Sequence, residues 1–397
     1  MPRLLQINTT LGGGTHGGIA EKIAQCAREN DWETFIAYGR KRGLSKQESI
    51  QVGGKIDFFE HILETRFFDN HGLASRKATK EVIKQIERIQ PDIIHLHNIH
   101  GYYINYPLLF TFLRHYNHPV VWTLHDCWSF TGHCAHFDIE KCYKWQNECH
   151  HCISKNKYPS SILLDQSRRN YLEKKHYFSS IDNLTLVPVS HWLEKYLNES
   201  FLKEKNIQVI HNGIDTQLFT PSKPTKKETF NILGVSYSWV TKEKYNDFIK
   251  LRKLLPENYT ITMVGLTKSE INRLPKGIVG LEKTRDVKEL IELYRQSDVL
   301  VNPTYEDNYP TISLEAISCG IPVITYNTGG CSEAITDNTG MVVEKGNVEA
   351  IAHTIQRLSK TDKNIISLAC RQYALQHFDW RHCYSKYIEL YHRLLLT

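Results

Sequence analysis

Two carboxylates stand beside a helix start in residues 302–333, NPTYEDNYPTISLEAISCGIPVITYNTGGCSE. Seven residues separate Asp307 from Glu315, and Glu306 adjoins the first acid. Pro310 suits the opening turn of a helix, where its missing N–H is not needed. Gly320 suits the residue just past the helix end. The short apolar run 298–302 ahead of the loop reads as a buried parallel strand. A helix start directly after such a strand presents free backbone N–H groups and a partial positive charge, which attract phosphate. Carboxylates do little for a phosphate, but they accept hydrogen bonds from sugar hydroxyls. One segment offering both suits a sugar nucleotide, with Asn308, Tyr309, Pro310 and Thr311 on the donor-binding approach.

Four other constellations can carry chemistry. Gly12-Gly-Gly-Thr-His-Gly17 fits G-x-G-x-x-G between a strand and a helix. It reads either as a dinucleotide fingerprint, with Arg40 at the second strand end to meet a 2′-phosphate, or as a loop whose Gly17 and Gly18 let backbone approach a phosphate or acceptor. His95-Leu-His97-Asn98-Ile-His100 lies at the carboxyl end of an expected strand, where ligands bind in open α/β sheets. His125 and Asp126 end the next strand. They read as a pair, since a carboxylate can fix an imidazole's tautomer and so orient a hydroxyl. Cys127, Cys134, Cys142, Cys149 and Cys152 fall within 26 residues. In a reducing compartment such a cluster points to metal or function before disulfides. Cys134, Cys142, Cys149 and Cys152 would suit a closed tetrahedral structural zinc that pins a long loop. Unligated thiols and disulfides remain the other readings.

The elements that must position these groups alternate. Strands are expected at 3–8, 34–38, 92–97, 119–124 and 184–189, with helices between, the pattern of a parallel sheet covered on both faces. The pattern restarts with strands at 207–210, 230–235, 259–264, 277–281, 299–302 and 322–326. Helices are expected at 245–254, 287–296, 311–319 and 348–358. The expected domains are 1–195, with a Cys-rich loop at 127–152, then 206–378, and a terminal helix at 379–397. Composition, 41% hydrophobic and 23% charged, is that of an ordinary globular chain. No apolar run reaches the ~20 residues that span a bilayer. The polar start MPRLLQINTT reads as a strand and not a leader, which places the chain in the cytoplasm. The net charge of +6 does not call for nucleic acid. It would help association with an anionic membrane face or a phosphorylated substrate.

The segment 302–333 resembles the donor-site signature of family 4 of the glycosyltransferases, with its two spaced acids followed by Ala-x-x-Cys-Gly-x-Pro-Val. That resemblance covers nearly the whole chain. It implies a retaining enzyme of GT-B fold: two facing doubly wound, Rossmann-like domains and a terminal helix that crosses back to the first. It implies a UDP- or GDP-linked sugar as donor and a saccharide or lipid-linked acceptor in surface-polysaccharide assembly at the inner membrane face. Asp307 takes the sugar-contacting role, with Glu306 behind it, and Glu315 the ribose. His125 orients reactants, and His97, Asn98 and Asn105 belong to the acceptor-side loop. Thr284 lies where the nucleobase loop should be. The family's Arg and Lys for the diphosphate are not both present: Lys242 stands for the Arg, Glu243 falls on the Lys, and Lys244 is the substitute cation. No Asp-x-Asp metal pair is suitably placed, so cations and helix N–H groups are expected to stabilise the leaving group, with no catalytic cofactor. A nucleotide-sugar epimerase of the same fold and a non-catalytic sugar-nucleotide-binding protein are the alternatives.

Overall fold

A computed structural model describes residues 1–41, 43, 45, 48–222, 229–239 and 242–396, with backbone alone for 41 and 242. The chain divides into two compact units, Met1–His211 with Tyr384–Thr397, and Asn212–Cys383.

The first unit holds β1 (Arg3–Leu11), β2 (Glu33–Lys41), β3 (Glu48–Gln51), β4 (Ile93–Leu96), β5 (Val120–Leu124), β6 (Leu184–Pro188) and β7 (Asn206–Ile207). They pair in the order β3-β2-β1-β4-β5-β6-β7, all parallel. Every residue of β4, β5 and β6 is buried, as helices on both faces require. The second unit repeats the plan with β8 (Phe230–Val235), β9 (Tyr259–Val264), β10 (Ile278–Leu281), β11 (Val299–Asn302), β12 (Val323–Tyr326) and β13 (Gly340–Val343). Its order is β10-β9-β8-β11-β12-β13, again parallel. In each sheet the winding reverses beside the first strand, between β1 and β4 and between β8 and β11. The crevice outside the carboxyl ends at such a reversal is where an open α/β sheet takes its ligand.

The strand expected at 207–210 to open the second sheet instead adds to the first, as β7 against β6. The division accordingly falls at His211/Asn212, later than the polar stretch 198–206 suggested. A two-residue edge strand leaves no periodicity by which to assign it to either sheet.

Helix Thr311–Ser318 ends as its sequence demands. Gly320 adopts φ +77°, the Gly320 N–H bonds to the Ile317 carbonyl and the Ile321 N–H to the Ala316 carbonyl. These are the two bonds of a Schellman stop. The last helix, Trp380–Leu395, gives its residues from Tyr384 onward to the first unit. There Tyr387 Oη lies 2.8 Å from Thr123 Oγ1 and Tyr391 Oη 2.6 Å from His95 Nδ1.

Candidate functional site

At the reversal of the second sheet, β11 ends on Asn302 and the chain runs through Thr304–Pro310 into helix Thr311–Ser318. That helix has no side-chain cap at its start, and its Ser313 N–H bonds back to the Pro310 carbonyl at 3.2 Å. Asn308, Tyr309 and Pro310 are buried and shape this entrance, while Glu306, Asp307 and Thr311 are half-buried. Asn212 Nδ2 steadies the loop by donating to the Tyr309 carbonyl at 3.3 Å. Gly329 packs its backbone onto Asp307 at φ +56°, where an added Cβ would stand 1.7 Å from the Asp307 carbonyl oxygen. The Thr328–Gly330 turn therefore needs glycine at that point to hold the acidic loop.

The cation of this site is Lys244. It lies on helix Lys242–Leu254, is buried, and donates to Asn302 Oδ1 at 3.3 Å, 5.2 Å from the centre of the Trp239 ring. Burial lowers its pKa to about 8, and the nearby Asp307 carboxylate opposes the fall. Asn302 Nδ2 is buried without a hydrogen-bond partner, a second donor beside the ammonium. Lys242 opens the same helix, and its side chain lies outside the described residues. Asp247, three residues beyond Lys244, accepts hydrogen bonds from Tyr305 at 2.9 Å and Tyr326 at 2.8 Å. This buried carboxylate ties the Lys244 helix to the strand end that carries the acids.

Glu315 is one turn into helix 311–318 and accepts from Tyr294 Oη at 2.9 Å. Although the residue is partly accessible, its carboxyl group is withdrawn from water. Burial raises its pKa to about 7, while hydrogen bonds from Tyr294 and Thr311 pull the other way. Thr284 lies in the loop after β10, half-buried.

In the first unit the helix after β1 begins at Gly14, so Gly17 and Gly18 lie in its opening turns. A Cβ on Gly17 would press on Thr10 Oγ1 at 3.1 Å, whereas one on Gly18 would meet nothing within 4 Å. Gly17 serves helix–strand packing, and Gly18 leaves open space at the strand end.

Behind it runs a chain of imidazoles. Gln6 Nε2 donates to the Ala20 carbonyl at 2.8 Å, which turns its Oε1 towards His97 Nε2, also at 2.8 Å. His97 must then carry its proton on Nε2, and its Nδ1 becomes an acceptor for His125 Nε2 at 3.4 Å. That tautomer leaves His125 Nδ1 as the acceptor for a hydroxyl. Burial, with His16 and His97 close by, holds the His125 pKa well below 6.5, so the ring is neutral at pH 7. Burial acts likewise on His97. Asn98 holds His16 through an Nδ2···Nδ1 contact of 2.9 Å, and the His16 ring lies 4.5 Å from that of His125.

Three expectations about this unit need correcting. Asp126 does not pair with His125. Its carboxylate takes His100 Nε2 at 2.8 Å and the Trp128 N–H at 2.9 Å, because neighbouring side chains leaving a strand diverge. Burial would raise that carboxyl, but His100 holds it below the usual range. Asn105 is not an acceptor contact but the cap of helix Tyr106–Leu113, accepting from the Leu108 N–H at 3.0 Å, and it is buried. Asn105-x-Pro107 carried that signal in the sequence. His97 is fully buried with both ring nitrogens engaged, so it positions His125 and does not itself meet an acceptor. His16, Gln6, Asn302 and Tyr294 were missed. His16 alone had a local signal, as the histidine inside the glycine run.

Comparison with known proteins places both halves. The family described as Glycosyltransferase Family 4 matches residues 19–218, half of the chain, and Glycosyl transferases group 1 matches residues 217–376. The chain belongs to glycosyltransferase family 4. A relative described as a putative colanic acid biosynthesis glycosyl transferase, WcaC of Escherichia coli K12, is 27% identical over 367 residues, covering 87% of this chain and 88% of its own. Sucrose-phosphate synthase from Thermosynechococcus elongatus superposes with a TM-score of 0.71 at 15% identity over the whole of both chains. Anabaena Alr3699/HepE, solved in complex with UDP, does so with 0.67 at 15% identity, over 98% of this chain and 99% of its own. The fold is therefore GT-B and the protein a glycosyltransferase. The dehydrogenase reading of Gly12–Gly17 lapses with that membership. Among the described residues no helix is long and apolar enough to cross a membrane.

Proposed function

We propose that this glycosyltransferase moves a hexose-type sugar, with retention at the anomeric carbon, from a UDP- or GDP-linked donor to a saccharide or lipid-linked acceptor in surface-polysaccharide assembly. One observation carries the reading: a buried lysine, Lys244, between Asn302 and Asp307, beside the uncapped start of helix 311–318. A buried ammonium at the end of the strand that leads into a helix start suits a diphosphate, and the adjoining acids suit hydroxyls. The names of WcaC and of the UDP-bound HepE structure support the donor class and the setting.

In the proposed reaction the bond from the anomeric carbon to the diphosphate breaks as the acceptor oxygen bonds on the same face, and the hydroxyl proton passes to the departing diphosphate oxygen. Lys244 and the N–H groups take up the charge on the departing diphosphate. Glu315 accepts from the ribose hydroxyls and Asp307, with Glu306, from the sugar. His125 Nδ1 accepts from the reacting hydroxyl and orients it.

Peripheral attachment to an anionic membrane has its own support. Ile56, Phe59 and Leu63 make an exposed apolar row on helix Lys55–Phe68, and the exposed Ile162 and Leu163 lie against it, the Ile162 N–H bonding to the Arg66 carbonyl at 2.7 Å. A chain carrying a net +6 would be drawn to such a surface. Cosedimentation with anionic vesicles should fall on Phe59→Glu.

Calorimetric titration with UDP and GDP tests the donor reading. One nucleotide should bind, and Glu315→Ala should lose transfer with its fold intact. Binding of neither, or full activity in that variant, would overturn it.

A further inference from the structure

The loop between β5 and helix Ser167–Ser179 carries a group of side chains that the transfer reaction does not use. Cys134, Cys142, Cys149 and Cys152 line a single cavity of about 20 Å³ together with His133. A space of that size admits one water-sized particle. The Cys134 and Cys152 thiols contact each other, and the Gly132 N–H donates to Cys149 Sγ at 3.2 Å.

His133 is the independent observation. Its Nδ1 lies 2.7 Å from Asp69 Oδ1, and both side chains are fully buried. Its Nε2 is buried with no hydrogen-bond partner. An imidazole fixed by a carboxylate on one side and left unsatisfied on the other is costly unless something polar occupies the second side. The cavity wall also lies near a buried cation. Lys174 donates to the Trp128 carbonyl at 2.7 Å and the Thr131 carbonyl at 3.0 Å, and the charges that act on it include Cys134 and Cys149. Asp69 already faces His133, and Asp69 and Asp126 also act on Lys174. A zinc ion held by four thiolates would fill the cavity that His133 Nε2 borders, with Nε2–H donating to a sulfur when the ring is doubly protonated against Asp69.

We propose that Cys134, Cys142, Cys149 and Cys152 hold one zinc ion as a closed structural site, braced by the Asp69–His133 pair. In the structure the side chains line the cavity without converging. Among the described residues no three His, Cys, Asp or Glu are gathered to hold an ion. Each cysteine has a single side-chain torsion with staggered wells, so closure needs thiol rotations and no change of fold. Binding releases four thiol protons and leaves no open coordination position, so the ion serves folding and not the reaction. The loop begins next to Asp126 and its Cys127 N–H bonds to the Ala135 carbonyl at 2.8 Å, so the ion would fix the chain that leaves the acceptor-side strand.

Metal analysis of the full chain, purified without chelator or added metal, should give about one zinc per chain. Cys142 and Cys152 are partly exposed and as free thiols would be open to a thiol reagent, whereas burial pushes the Cys149 thiol up and slows its reaction. They should instead be protected in the folded protein until a strong chelator is added. Cobalt exchanged into the site should give the absorption of four-sulfur coordination. Cys149→Ser/Cys152→Ser should lose the metal, and His133→Ala should keep it with weaker retention against chelator. Three results would overturn the proposal: metal-free protein whose thiols react at once, a mass deficit showing disulfides in these positions, or a His133→Ala protein that loses zinc while Cys142→Ser retains it. The metal content of the unaltered chain decides even if a variant fails to fold.

Discussion

The two units wind their strands in the same order and place their polar groups at the same reversal point, yet they do different work there. In the second unit the crevice collects charge: an ammonium, two or three carboxylates and a helix start. In the first it collects imidazoles, His16, His97 and His125, and the neighbouring Asp126 carboxylate is committed to His100. Shared topology explains why a site forms at that point. The residues at the strand ends decide whether it is built for an ionic ligand or for a hydroxyl.

The sharpest way to break this comparison is to remove the charge from the second unit alone. Lys244→Met should lower kcat/KM by about 10²–10³-fold, the usual range for deleting one preorganised donor to developing negative charge. UDP or GDP affinity, read by calorimetry, should fall with it. Unchanged affinity would show that the diphosphate is held elsewhere. His125→Ala is the matching change in the first unit. Transfer should drop about tenfold, the scale of one lost hydrogen bond, while nucleotide affinity stays the same. A joint loss of both would mean that the units do not divide the labour as described.

The pH profile should separate the limbs of the charged site. Glu315, with its pKa raised to about 7, accepts sugar hydroxyls best once ionised, so nucleotide affinity should rise through pH 7. Lys244, lowered to about 8, loses its charge above that, so affinity should fall again. Lys244→Arg should remove the alkaline limb, because a guanidinium stays protonated. The raised carboxyl also favours folding below its ordinary value of 4.5 and loses that contribution as pH rises through 7. Glu315→Gln should therefore raise the melting temperature at pH 8 and leave it little changed at pH 4. The smallest effect belongs to Tyr294→Phe. It removes a hydrogen bond that lowers the Glu315 pKa, so the acid limb should move to higher pH, with about a threefold loss of affinity at pH 7.

Much of this was legible in the sequence, for physical reasons. β8, β9 and β11 were read with their observed bounds, since buried parallel strands are unbroken apolar runs flanked by turns. Helix Thr311–Ser318, which carries Glu315, was legible because strand, acidic loop and helix follow one another in one contiguous segment. The histidine chain was read only in part. Its members come from β1, β4 and β5 and from the helix after β1, and no spacing in one segment shows that Gln6 fixes the tautomer of His97. The Asp126 expectation failed for a related reason: adjacency along the chain suggested a pair that the divergence of successive side chains forbids. The strands Glu48–Gln51 and Gly340–Val343 were missed because they lie at sheet edges, exposed or half-buried, and carry no fully buried run like that of β11.

Tyr387 and Tyr391 have a bearing on how the protein comes to be made. They reach back across more than 260 residues of chain to Thr123 and His95, inside the sheet of the first unit. A ribosome that has finished residue 211 has synthesised every strand of that sheet but not the two phenols that seat its central histidine. The earliest-made half is thus among the last to be completed. Until synthesis passes residue 391, the nascent chain holds a sheet whose buried His95 still lacks its Tyr391 partner.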